Sequence, residues 1–134
     1  MTDTKSTLLA YLKQKPDALE DYPFDDQVLV LKVHGKMFAL FTEKEGVARV
    51  NLKCDPFHAQ ELRDIFDCVQ PGYHMNKKHW NTVILDGSLP EGELRRMVDH
   101  SYALVVKGLT KAKRTNLELR FDHQALYGKN DETS

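Results

Sequence analysis

The 134-residue sequence predicts an α+β fold, a two-layer sandwich in which helices pack on an antiparallel sheet of about five strands. Three observations carry that reading. Short β-rich runs between Val28 and Lys53 are broken only by glycine-bearing gaps, as in an antiparallel meander. Two stretches with apolar residues at helical spacing follow, one after Asp55 and one after Ser88. Between those two stretches a polar loop feeds an extended segment from Trp80 to Leu85. The expected order is helix, three strands, helix, two strands, helix.

Taken along the chain, Thr4 to Lys15 reads as a short helix with Leu8, Leu9, Tyr11 and Leu12 on its apolar face, ended by Pro16. An acidic loop follows, from Asp17 to Asp26. Strands are expected at Val28 to His34, Lys36 to Thr42 and Val47 to Lys53, separated by Gly35 and by Glu43 to Gly46. In the third, period-two alternation puts Ala48, Val50 and Leu52 on one face and Val47, Arg49, Asn51 and Lys53 on a wet one. Asp55 before Pro56 is a good helix start, because the carboxylate accepts orphan amide protons and proline at the first helical position forfeits no bond. Leu62, Ile65, Phe66 and Val69 supply its stripe, with Asp67 to Gln70 as an extra strand. Ser88 with Glu91 fits a capping box for a longer helix carrying Leu94, Met97, Val98, Tyr102 and Val105 and ending at Gly108. Asn116 to Phe121 alternates polar and apolar and reads as an edge strand, for this sheet or a neighbour's. Residues 1–114 are therefore expected as one domain, and residues 115–134 as an extension with a disordered end.

Composition narrows the classes. With 41% hydrophobic and 29% charged residues the chain is ordinary for a globular protein, and no apolar run approaches the ~20 residues of a membrane span. The N-terminus lacks the basic and apolar regions of a leader, so a cytoplasmic location is expected. Two cysteines without CxxC spacing, Cys54 and Cys68, read as free, packed thiols. A formal net charge of −1 argues against a surface that traps polyanions everywhere, although cations gather from His74 to Arg120.

The segment Pro71 to Val83 concentrates cations, imidazoles, amides and two aromatic rings, which a buried element would be hard pressed to satisfy. A surface loop is expected, with Trp80 anchoring it to the core. Lys and Arg contact phosphates, amides read base edges and rings stack. On those grounds the candidate nucleic-acid contacts are Tyr73, His74, Asn76, Lys77, Lys78 and His79 in the loop. Lys32, His34, Lys36, Arg49, Asn51 and Lys53 on the strands form a second basic lobe.

The same run, with Pro23-Phe24, Leu31 to Leu40, Val50 to Pro56 and Ser101 to Val105, resembles the MmcQ/YjbR family of small bacterial proteins. The resemblance spans about Thr4 to Leu109. It implies a compact α/β fold similar to CyaY and the secretion chaperones, and a proposed role in DNA binding through paired β wings. No catalytic residues come with it, and nothing transfers to the tail.

The leading expectation is a non-enzymatic binding module with DNA as partner and modest affinity. A protein-interaction or chaperone-like module, using a sheet edge to meet a partner or a second copy, is the alternative. The third reading is a small-molecule site or enzyme centred on the His74 to Trp80 loop. No cofactor is expected. Metal is not expected either, since His74 and His79 lack an HExxH or CxxC setting. Cys54 and His58 suggest a thiol–imidazole pair that wants a third group. Against all of these stands the plainer reading, in which Trp80 and Tyr73 are core anchors and the lysines solubilise the loop.

Overall fold

A computed structural model describes residues 4–72 and 75–128. Six antiparallel strands form one sheet in the order β1-β2-β3-β4-β6-β5: β1 (Ala18–Asp21), β2 (Val28–Val33), β3 (Lys36–Lys44), β4 (Val47–Lys53), β5 (Val69–Pro71) and β6 (Trp80–Ile84). Among the described residues five helices accompany it: α1 (Thr4–Lys13), α2 (Pro56–Ile65), α3 (Glu91–Lys107), α4 (Lys111–Arg120) and α5 (His123–Tyr127). No helix among the described residues is long and apolar enough to cross a membrane.

The β2–β3–β4 meander forms as the sequence predicts. Its turns have two residues each, His34-Gly35 and Glu45-Gly46, all with positive φ, which matches the strand twist in the manner of type I′ hairpins. Side chains of Leu29, Leu31, Val33, Phe41, Val50, Leu52 and Val83 form one layer of the core. Leu8 and Leu12 of α1, Ala59 and Leu62 of α2 and the stripe of α3 form the other. Arg49, Asn51 and Lys53 of β4 alternate with the buried residues and stay half-buried on the opposite face, as expected.

Helix α3 locks onto the sheet through two neighbouring polar residues. The Ser101 hydroxyl, fully buried, donates to the Phe38 carbonyl at 2.6 Å and accepts from the Lys53 amide at 2.9 Å, so it serves backbone groups of both β3 and β4. Tyr102 packs edge-on against Phe38, with ring centroids 5.1 Å apart, and donates its hydroxyl to the Pro16 carbonyl at 2.6 Å. Burial raises its phenol pKa, which keeps it a donor.

Four elements differ from expectation. The acidic loop contains an edge strand, β1, whose Asp21 stands beside Val30 of β2. Ser88 does not cap α3: its amide and hydroxyl both turn to Asp86 Oδ1, at 2.9 and 2.6 Å, and the helix begins after Pro90 with no side-chain cap. Ile65, expected in the stripe of α2, is exposed, because that helix ends there and the chain turns extended at Phe66. The segment expected as an edge strand, Asn116 to Phe121, lies in α4 and its C-cap. Helical spacing sends Leu117 fully into the core and Leu119 to the outside. With Leu126 and Tyr127 of α5 also buried, the expected boundary at residue 114 falls inside a helix of the folded unit.

Candidate functional site

Strand register brings Lys36, Lys53 and the loop bearing Lys77 and Lys78 to one end of the sheet. Lys53 stands opposite Trp80, and Leu52 opposite Ala39, so the end of β4 lies between the start of β3 at Lys36 and the loop that enters β6. That loop is held by its backbone. Gly72 donates to the Trp80 carbonyl at 3.0 Å, Met75 to the Gly72 carbonyl at 3.2 Å, and Cys54 to the His79 carbonyl at 2.7 Å. A side chain at Gly72 would place its Cβ 3.0 Å from the Cβ of Trp80 and 3.1 Å from its carbonyl oxygen, so any larger residue would push the two strands apart by a few tenths of an ångström.

Arg63 of α2 completes the scaffold. Its guanidinium donates to the carbonyls of Lys77 and Trp80 and, at 2.7 Å, to the side-chain oxygen of buried Asn81. Asn81 in turn reaches the Ala59 carbonyl at 3.4 Å. The result leaves Lys77, Lys78 and His79 exposed at the tip of a fixed turn.

Not every expected contact is available for a ligand. Asn76 accepts from the Lys78 amide at 2.9 Å, and Asn51 accepts from the Thr82 hydroxyl at 2.5 Å, so each amide already has a structural partner. Lys32 pairs with Asp21 at 2.7 Å. His34 forms the hairpin turn and holds Asp17 at 3.0 Å, and Asp17 also receives Arg120. The expected basic lobe is thus divided: Lys32 and His34 are matched by carboxylates, whereas no ion pair among the described residues involves Lys36, Lys53, Lys77 or Lys78. Trp80 is half-buried rather than a core anchor. Tyr73 and His74 lie outside the described residues.

Two groups were not foreseen from sequence. Lys113 of α4 reaches the His34 carbonyl at 3.3 Å and adds a cation beside the β2–β3 turn. The second is a polar cluster directly beneath the loop. Cys54 Sγ, a carboxylate oxygen of Asp55 and a ring nitrogen of His100 all lie within 4.8 Å of one another, and the His58 ring meets that of His100 edge-on at 5.5 Å. Asp55 caps α2 as expected, accepting from the His58 amide at 3.0 Å through Oδ1, while its Oδ2 is 3.3 Å from His100 Nε2. Burial and the neighbouring Asp55 carboxylate push the Cys54 thiol up to about 12. Burial, then the nearby His58, pulls the His100 imidazole below its ordinary value. The imidazole beside Cys54 is thus that of His100, from a helix more than forty residues away in sequence, rather than the expected His58, which meets the His100 ring instead.

The fold has known counterparts. A family model described as YjbR matches residues 13–104. The protein named "Uncharacterized protein YjbR" of Escherichia coli K12 is 40% identical over 111 residues, which cover 83% of this chain and 94% of that protein. "Uncharacterized protein YyaQ" of Bacillus subtilis 168 is 29% identical over 115 residues, 75% of this chain and 97% of the relative. Among solved structures, Deinococcus radiodurans protein DR2400, with its DUF419 domain, superposes with a TM-score of 0.78 at 41% identity, covering 85% of this chain and 87% of that one.

Proposed function

The chain belongs to the YjbR family, and from that premise we propose that it is a non-enzymatic binding module whose ligand is DNA, held with modest affinity by one end of its sheet. The observation that carries this reading is the placement at one end of the sheet of Lys36, Lys53, Lys77 and Lys78, none in an ion pair among the described residues, the last two on a turn whose backbone is held by Arg63. Fixed placement matters because phosphate contacts then cost little ordering of the loop. Their small number sets the scale. Strong duplex binders make roughly six to ten phosphate contacts, so four or five lysines support affinity that is lost at physiological salt or little above it. With Asn51 and Asn76 committed to internal bonds, base reading is weak and sequence preference is slight.

The test is fluorescence anisotropy with labelled duplex and single-stranded DNA across a salt series. The double change Lys77→Ala with Lys78→Ala is expected to weaken binding equally for all sequences and to lower the salt slope by roughly one to two units. Lys32→Ala, which removes a cation already matched by Asp21, should leave the slope unchanged. No binding by the unmodified chain at low salt, or equal losses from Lys32→Ala and the double change, would refute the proposal.

A further inference from the structure

We propose that Cys54, Asp55 and His100 form a site for one divalent transition metal ion of the zinc class, beneath the lysine-bearing loop and independent of DNA binding. The donor set is the first argument. A sulfur, an imidazole nitrogen and a carboxylate oxygen within 4.8 Å of one another are the three ligand types zinc prefers, and the thiol selects against calcium and magnesium. Bonds of about 2.0–2.3 Å put tetrahedral ligand atoms roughly 3.3–3.7 Å apart, so closing the site takes side-chain rotations on the order of 1 Å.

The second argument is a conflict at His100 Nε2 that a cation resolves in favour of the carboxylate. The Asp55 amide approaches that nitrogen at 3.4 Å as a donor, which requires a lone pair there. Asp55 Oδ2 stands at 3.3 Å, an attractive contact only if the nitrogen carries a proton. One tautomer cannot serve both. A metal ion between Nε2, Oδ2 and Sγ lets the neutral imidazole and the ionised carboxylate each donate a lone pair, which makes the Oδ2 contact favourable in exchange for the long approach of the Asp55 amide. Meanwhile Oδ1 keeps its cap on α2.

Space and rigidity agree with this placement. A cavity of about 10 Å³, close to the volume of a single small occupant, is lined by Cys54, His58 and His100, by Lys53 and Asn81, and otherwise by apolar side chains. Cys54 and Asp55 form the two-residue link between β4 and α2, with Asp55 capping the helix, and His100 precedes the buried Ser101 that bolts α3 to the sheet, so all three ligands are held beside ordered backbone. As the sulfur–metal bond forms, the thiol proton leaves to solvent and no group changes oxidation state. Three protein ligands leave a fourth position for water.

The experiment titrates the reduced full-length chain, stripped by chelator, with Co²⁺ alone and then competes with Zn²⁺. One equivalent of cobalt should give a sulfur-to-cobalt charge-transfer band in the near ultraviolet with four-coordinate visible bands, all displaced by zinc. Cys54→Ser should abolish the charge-transfer band, Cys68→Ser should preserve it, and His100→Gln and Asp55→Asn should each weaken binding by at least about tenfold. Because Cys54 is buried and its replacement could unfold the chain, the His100 and Asp55 variants, on half-buried side chains, stand as the second arm with circular dichroism to confirm folding. Absence of the band in the unmodified chain, its survival in Cys54→Ser, or undiminished affinity in folded His100→Gln would each overturn the assignment.

Discussion

The β1–β2 edge and the β4–β6 end of the same sheet use cations in opposite ways. At the edge, Lys32 meets Asp21, His34 and Arg120 both meet Asp17, and Lys13 meets Glu20. At the other place Lys53, Lys77 and Lys78 face no carboxylate partner among the described residues. The difference teaches that residue type alone does not mark a binding surface. A lysine whose charge is matched within the fold has little left to offer a phosphate, whereas an unmatched one beside a fixed backbone does. The acids that neutralise the edge, Asp17, Glu20 and Asp21, come from a segment whose sequence reads as a loop, and Arg120 comes from one whose sequence reads as a strand.

The largest expected effect comes from removing what closes the edge. A chain ended at Arg114 loses Leu117, Leu126 and Tyr127 from the core and Arg120 from Asp17. Truncating one such buried apolar side chain costs about 2–5 kcal/mol, against a total stability of about 5–15 kcal/mol for a domain. The shortened chain is expected to lose its cooperative thermal transition, followed by circular dichroism. A melt within a few degrees of the full chain would show that the two terminal helices are appendages and that the edge closes without them.

A smaller change separates the scaffold of the lysine end from its charges. Ser101→Ala leaves the Phe38 carbonyl and the Lys53 amide, at the meeting of β3 and β4, without the hydroxyl that serves both. Leaving buried polar groups unmatched costs roughly 1–3 kcal/mol, which a denaturant melt resolves. DNA binding should weaken as well, because Lys53 is positioned by that bond, although no charge has been removed. Full stability with intact binding would mean that Ser101 merely fills space.

These contrasts also explain what could be read from sequence. The meander, the Asp55 cap and the α3 stripe were legible because period-two alternation, a cap before proline and helical spacing are local signals. Strand β1 was hidden because half of Ala18 to Asp21 is acidic and the segment is extended only by pairing with β2. The tail was misread because Leu117, Leu119 and Phe121 alternate over five residues, too short a span to tell a strand period from a helix whose Leu119 points outward. At the site, the exposure of Lys77 and Lys78 was foreseen. The contacts of Lys32 and His34 with carboxylates, the support from Arg63 and the approach of His100 to Cys54 join distant segments, which no window of the sequence contains.

The smallest expected effect tests the matched edge by acid. Hydrogen bonds from Arg120, and after them from His34, hold the Asp17 carboxyl below its ordinary range, against an opposing push from burial. An unfolded carboxylate titrates near 3.9, so below that value the unfolded chain takes up protons that the folded one resists. The contribution of this site is therefore fully present above about pH 4 and is lost as the pH falls through the lower, folded value. Asp17→Asn keeps a short polar side chain able to tolerate the positive φ of 58° at this position but removes the charge. Denaturant midpoints measured from neutral pH downward should differ little at neutrality, where partly exposed pairs are screened, and the unmodified chain should lose stability more steeply than the variant in the acid range. Parallel curves would mean that Asp17, Arg120 and His34 are neighbours without energetic coupling, and the edge could no longer be called matched on the strength of its distances.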